Sequence, residues 1–304
     1  MSLLTIGTVA FDDIETPFGR AEKVIGGACT YASYAASYFT DSIRLCSIVG
    51  ADFPQDEIKA LENRGVNMDG LQVKNDGKTF FWAGKYYENM NQRDTLVTDL
   101  NVLDDFNPIL PDSYKDSKYI LLGNLTPEIQ IQVMNQLDGN QELIVLDTMN
   151  FWMDVAMDSL LEAISKVDVI TINDEEARQL SGEYSLVNAA EKIHTMGPKY
   201  VVIKKGEHGA LLFHNGEIFS APALPLAQVF DPTGAGDTFA GGFIGYIAHT
   251  EDSSFENMKR AIMYGSVMAS FCVEEFSIDK LRNLSNNDIM SRMAKFKAMT
   301  HFDL

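Results

Sequence analysis

No run of eighteen apolar residues occurs in the 304-residue sequence, which excludes a transmembrane helix. The N-terminus, Met1-Ser2-Leu3-Leu4-Thr5-Ile6-Gly7, has no basic region and enters a strand-like stretch, so a signal peptide is not expected. Cysteine is scarce: Cys29, Cys46 and Cys272 form no Cys-x-x-Cys and have no histidine at ligand spacing. This argues against a disulfide framework or zinc site and fits a cytoplasmic protein. Basic residues are also few, 24 against 43 acidic ones, for a formal charge of −19. Nucleic acid and anionic membranes are therefore poor partners. An anionic ligand would have to be held locally, by backbone N–H groups, a metal ion and a few lysines. Neither an internal repeat nor a low-complexity tract is visible.

Hydrophobic residues make up 46% of the chain, enough for a sizeable core. Short apolar runs alternate with amphipathic stretches. The expected core strands are Leu4–Val9, Ile43–Val49, Tyr119–Leu122, Leu143–Asp147, Val169–Ile172 and Tyr200–Lys204. Helices are expected over Asp56–Arg64, Pro127–Leu137, Asp158–Lys166, Glu175–Leu180 and Leu186–Met196. This alternation predicts one α/β domain over residues 1–304, with a mostly parallel sheet and helices on both faces. Residues 11–24 and about 70–101 break the pattern. The second stretch contains Phe80, Phe81, Trp82, Tyr86 and Tyr87, and it reads as strands of a small separate sheet. Together the two stretches predict a β lid at the carboxyl edge, where ligands bind in open α/β sheets.

Residues 231–243, Asp-Pro-Thr-Gly-Ala-Gly-Asp-Thr-Phe-Ala-Gly-Gly-Phe, carry the strongest chemical signal. Gly234, Ala235 and Gly236 leave backbone N–H groups bare where an apolar helix begins. Those groups and the helix dipole make an anion cradle. Asp237 follows at once, and a carboxylate at that rim is suited to take a proton from a hydroxyl that attacks phosphorus. The plainer alternative is a glycine-rich turn into a core helix with an N-terminal Asp cap. A dinucleotide fingerprint does not fit, because no Gly-x-Gly-x-x-Gly follows the first strand. Nor does a Walker A loop: the Gly77-Lys78-Thr79 tripeptide has Gln72 where that loop's first glycine belongs.

The string resembles the C-terminal signature of the PfkB carbohydrate kinases, the ribokinase-like kinases. Four further segments keep that family's order: Ile25-Gly26-Gly27-Ala28; Val49-Gly50-Ala51-Asp52-Phe53 with Leu61 and Gly65-Val66; Asn173-Asp174-Glu175-Glu176; and Lys205-Gly206-Glu207-His208-Gly209-Ala210. The resemblance spans roughly residues 3 to 276. It implies a three-layer α/β/α fold with a β lid, which in several relatives also forms a homodimer contact. ATP is implied as phosphoryl donor, with Mg2+, and a small sugar or nucleoside as acceptor. Asp237 would be the general base and Gly234-Ala235-Gly236 the anion hole.

The same resemblance implies nucleotide contacts from Asn173, Lys204, Gly206, Gly209 and Thr233, and a water-mediated Mg2+ contact from Glu176. Many relatives have Thr where Lys204 stands. Asp231 matches a residue that helps bind a monovalent cation in some relatives, although the later segment Val273–Ser277 lacks the glycine that such a site uses. Asp12, Gly26 and Gly27 would bind the acceptor, with Asp13 as the rival carboxylate. Tyr31 stands where relatives often have an Asn that meets a sugar hydroxyl, and Asn124 would project into the same site. Arg93 on the lid is either a group that closes over the acceptor or a solvated side chain. Tyr31, Phe80 and Trp82 could stack on a base, which makes a nucleoside kinase the alternative within this chemistry. A non-catalytic ligand-binding protein of the same fold is the reading from another class.

Overall fold

The structure is a computed structural model that describes residues 2–301 and 303; Met1, Phe302 and Leu304 lie outside the described residues. The apolar run Leu3–Ile6 forms β1, followed by the antiparallel pair β2 (Ala10–Thr16) and β3 (Gly19–Gly26). Then come α1 (Ala28–Ala36), β4 (Ile43–Gly50), α2 (Gln55–Glu62), β5 (Val66–Lys74), β6 (Phe80–Tyr86) and β7 (Arg93–Asp99). The middle of the chain alternates β8 (Tyr119–Leu122), α3 (Pro127–Met134), β9 (Leu143–Asp147), α4 (Asn150–Val155), α5 (Met157–Ile164), β10 (Val169–Asn173), α6 (Asp174–Ser181) and α7 (Leu186–His194). After β11 (Tyr200–Lys204), β12 (Ala210–His214) and β13 (Glu217–Ala221), the chain closes with α8 (Ala235–Thr250), α9 (Phe255–Cys272), α10 (Asp279–Arg282) and α11 (Asn286–Thr300).

Nine of these strands form the main sheet, in the order β13-β12-β11-β10-β9-β8-β1-β4-β5. The seven strands from β11 to β5 are parallel, and β12 and β13 are antiparallel additions at one edge. A buried cluster lies on each face, one including α1, α8 and α9 residues and the other α5 and α7 residues. Strands covered on both sides have no polar face to show, which is why β8 reads as an uninterrupted apolar run and β1 is broken only by the buried Thr5. Helix α8 lies hard against α1: a Cβ on Gly241 would come 2.2 Å from the Ala32 carbonyl oxygen. This contact fixes the height of the α8 N-terminus over the sheet.

The remaining four strands make a separate sheet, β3-β2-β6-β7. It draws on residues 10–26 and 80–99. Residues 70–74 are instead the end of β5 in the main sheet, because they continue the parallel pairing with Cys46–Gly50. Asp52, from the Val-Gly-Ala-Asp segment, ties the two sheets together. Its Oδ1 accepts from the Thr79 N–H at 2.8 Å and the Thr79 hydroxyl at 2.7 Å, and that hydroxyl accepts from the Gly50 N–H. Asp52 and Gly77-Lys78-Thr79 thus form a structural anchor for β6. No helix among the described residues is long and apolar enough to cross a membrane.

Candidate active site

Three adjacent parallel strands end in polar residues at one edge: β9 in Asp147, β10 in Asn173 and β11 in Lys204. Register pairs Thr171 with Asp147 and Asn173 with Lys204, so these side chains emerge together. The N-terminus of α8 meets them there. Gly234 caps that helix in the left-handed region, at φ 72°, and a Cβ on it would lie 2.4 Å from the Tyr31 ring. Only glycine fits both demands. A Cβ on Gly236 would lie 3.2 Å from Lys204 Nζ, so the ammonium sits beside the first turn of the helix.

Asp237 stands in that first turn. Burial raises its carboxyl to about 6, Asp147 adds to the rise, and the Lys204 and Arg93 charges oppose it. Lys204 forms an ion pair with Asp147, Nζ to Oδ2 at 2.6 Å, and Thr171 donates to the same oxygen at 2.8 Å. Burial works against the ammonium, but Asp147 and Glu176 outweigh it and hold Lys204 above its usual range.

Asn173 and Glu176 form a capping box at the start of α6. Asn173 Oδ1 accepts from the Glu176 N–H, and Glu176 Oε2 accepts from the Asn173 N–H, both at 2.8 Å. One Glu176 oxygen and the Asn173 amide nitrogen are not used in that box. Burial lifts Glu176 to about 7, with Lys204 pulling it down and Asp147 pushing it up. No cluster of three metal-ligating side chains occurs among the described residues. This donor set suits a hydrated Mg2+ that takes its other ligands from water and phosphate, and Glu176 would hold it through water.

The turn after β11 carries Gly206 and Gly209 at φ 53° and 81°. A Cβ on Gly206 would come 2.7 Å from Asn91 Oδ1, so the β6–β7 hairpin reaches this turn. Gly209 packs against the β13 end, where a Cβ would lie 2.0 Å from the Ala221 carbonyl oxygen. Thr233 donates from its hydroxyl to Tyr86 Oη at 3.2 Å, a second link between the two sheets' sites.

Asp12 points inward from β2 and is 4% exposed. A Cβ on Gly26 would lie 1.9 Å from its Oδ2, so the first glycine of the pair makes room for this carboxylate. Asp12 is held well above the carboxylate range by burial, then by Asp231, Asp237 and Asp13. Asp13 faces the other way and accepts from the Lys23 N–H at 2.6 Å. Gly27 starts α1 at φ 95°. Tyr31 lays its ring on Gly234, and its buried hydroxyl has no protein hydrogen-bond partner. Burial, Asp231 and Asp12 all raise that hydroxyl.

Asn124 is occupied elsewhere: it accepts from Trp152 Nε1 at 2.8 Å and donates to Met149 Sδ at 3.1 Å. Asp231 spends its two oxygens on the Thr233 and Ser277 N–H groups, at 2.8 and 2.9 Å. Ser277 adopts φ 58°, a glycine-like backbone in the segment where sequence reading missed a glycine. Arg93 is exposed, with its guanidinium 5.7 Å from the Trp82 ring. Sequence reasoning overlooked Asp147, Thr171 and Tyr86. Asp147 carried a usable signal, since it is the polar end of an apolar strand, as Lys204 is.

A family profile described as pfkB family carbohydrate kinase matches residues 7–281. A cytidine kinase of Thermococcus kodakarensis is 32% identical over 248 residues, covering 80% of this chain and 87% of that protein. The structure of Burkholderia thailandensis nucleoside kinase in complex with inosine superposes with a TM-score of 0.77 at 19% identity, covering 98% of this chain and 99% of that one. An E. coli protein solved in complex with ATP and Mg2+ gives 0.79 at 18% identity, with the same coverage. The ribokinase fold and the family profile agree over nearly the whole chain, and this chain belongs to the pfkB family of carbohydrate kinases.

Proposed function

We propose that the chain phosphorylates a hydroxyl of a small sugar or sugar-like substrate with ATP. One observation carries this reading: Asp237 and the left-handed Gly234 open α8 directly beside Lys204, within electrostatic reach of Asp12. Asp12 would accept hydrogen bonds from acceptor hydroxyls in the space that Gly26 leaves. Asp237 would take the proton of the attacking hydroxyl as its oxygen bonds to the γ-phosphorus, and the bond to ADP breaks with its electron pair. The Gly234-Ala235-Gly236 backbone would meet the charge on the transferring group. Gly206, Thr233 and Asn173 border the space for the nucleotide. A Mg2+ ion near Glu176 would neutralise phosphate charge.

The four-stranded sheet serves as a lid in this reading. Tyr86 and Asn91 already reach Thr233 and Gly206, so the lid can exclude water from both substrates at once. A nucleoside acceptor is favoured as a second reading by the likeness to a cytidine kinase. Phe80 and Trp82, two residues apart and so on one face of the lid strand β6, offer aromatic faces for a base.

The test is ADP release from Mg-ATP across pentoses, hexoses, deoxy-sugar acids and nucleosides, with Asp237→Asn as control. Turnover with one acceptor class, lost in the variant, supports the reading and chooses between sugar and nucleoside. Turnover that survives Asp237→Asn undiminished removes Asp237 as base.

A further inference from the structure

Lys204 is a cation held where a helix dipole opposes it. Its Nζ lies beside Gly236, in the first turn of α8, where the N-terminus carries roughly half a positive charge. Burial opposes it too, since the side chain is only 16% exposed. The fold meets this cost with Asp147 and Thr171, yet a buried ion pair seldom stabilises more than packed apolar side chains of the same volume. Stability therefore does not explain the pair. An anion in front of α8 does: the ammonium has three N–H donors, Asp147 takes one, and the ammonium lies beside the first turn of α8, whose N–H groups have no partner within the helix.

We propose that Lys204 is a catalytic residue that contacts the transferring phosphoryl group, and that Asp147, backed by Thr171, is the positioning residue that aims it. This rests on the kinase reading above and extends it to a pair of residues that acts at the γ-phosphoryl group. Lys204 stays protonated throughout. The acceptor oxygen bonds to phosphorus, its proton passes to Asp237, and ADP leaves with the electron pair. Lys204 offsets charge on the phosphoryl oxygens, and because Asp147 already fixes its position, no cation has to move in during the transfer.

The experiment compares Lys204→Met, Lys204→Arg, Asp147→Asn and the Asp147→Asn/Lys204→Met double variant with wild type. It measures kcat and KM for both substrates, and the Kd of ATP and of ADP without acceptor. Lys204→Met is expected to lower kcat by about 10²-fold or more while changing either KM only a few-fold. It should also shrink the ratio of ATP to ADP affinity, since only ATP carries the γ-phosphoryl group. Lys204→Arg should recover part of kcat. The double variant has no uncompensated buried charge, and it should match Lys204→Met alone, because Asp147 acts through Lys204.

Lys204→Met within threefold of wild-type kcat, or a double variant whose losses simply add, would overturn the proposal. If wild type transfers phosphate to no acceptor, the kinase reading fails separately. The ATP-to-ADP affinity ratio then still decides: a ratio unchanged in Lys204→Met removes Lys204 from the γ-phosphoryl group.

Discussion

Gly234→Ala puts the start of α8 to the test. The backbone there is left-handed at φ 72°, which costs alanine roughly 1–2 kcal/mol. The new methyl carbon would sit 2.4 to 2.5 Å from three carbons of the Tyr31 ring. That ring is 1% exposed and has no solvent to retreat into, so the overlap adds about 1–3 kcal/mol of overpacking. The expected destabilisation is the sum, about 2–5 kcal/mol. Relief of the overlap by tilting the first turn would also displace the Ala235 and Gly236 N–H groups, and loss of one such donor lowers kcat by about 10²–10³. Denaturant unfolding and kcat, measured on the same preparation well below its melting temperature, separate the two effects. In a Tyr31→Ala background the overlap is gone, and Gly234→Ala should then cost only the left-handed share, about 1–2 kcal/mol. A Gly234→Ala protein that unfolds within about 0.5 kcal/mol of wild type and turns over within twofold would refute this account of the helix start.

Four other outcomes are expected. Asp237 must be ionised to act as base and is raised to about 6, so kcat/KM should fall tenfold per pH unit below about 6; a limb near pH 4 would contradict this. Asp237→Asn should remove the Asp237 share of that limb, leaving the share of Glu176, which is raised to about 7, and lower kcat by about 10²–10⁴. Lys204 lowers the Asp237 carboxyl, so in Lys204→Met the residual activity should show its acid limb at higher pH than wild type. Gly26→Ala should raise the acceptor KM by about tenfold or more and leave ATP affinity unchanged, since its methyl carbon would sit 1.9 Å from Asp12 Oδ2; titration calorimetry with each substrate checks this.

The main sheet was legible because its strands are covered on both faces and leave runs such as Tyr119–Leu122 and Tyr200–Lys204, whose bounds agree with the observed ones. Helix ends were less legible. The apolar pattern predicts Pro127–Leu137, but α3 stops at Met134, and the three residues that follow form a turn. β5 was misread because a parallel strand at the sheet edge carries polar residues such as Asn67, Asp69 and Gln72 among its apolar ones. In the site, the glycine string announced itself through spacing. Asp147 and Thr171 did not, because their significance lies in strand order: β9, β10 and β11 are neighbours in space across helices that separate them in sequence. The choice between Asp12 and Asp13 was likewise undecidable until the β2–β3 pairing turned one inward and the other toward Lys23.

Charge links the second sheet to the chemistry. At physiological salt the Debye length is about 8 Å, so most of the 43 acidic residues do not act at the mouth of α8. Of the carboxylates that do, Asp147 is tied to Lys204, and Asp231 is spent on two N–H donors. Asp237 is the one that has to be ionised for the proposed transfer, and Arg93 is among the charges that lower it. Arg93 opens β7, the outer strand of the four-stranded sheet, directly paired with Tyr86. The four-stranded sheet thus places a cation within electrostatic reach of the proposed base. Burial is the larger influence and raises Asp237, so the Arg93 charge at the edge of this sheet partly offsets the cost of enclosing the proposed base.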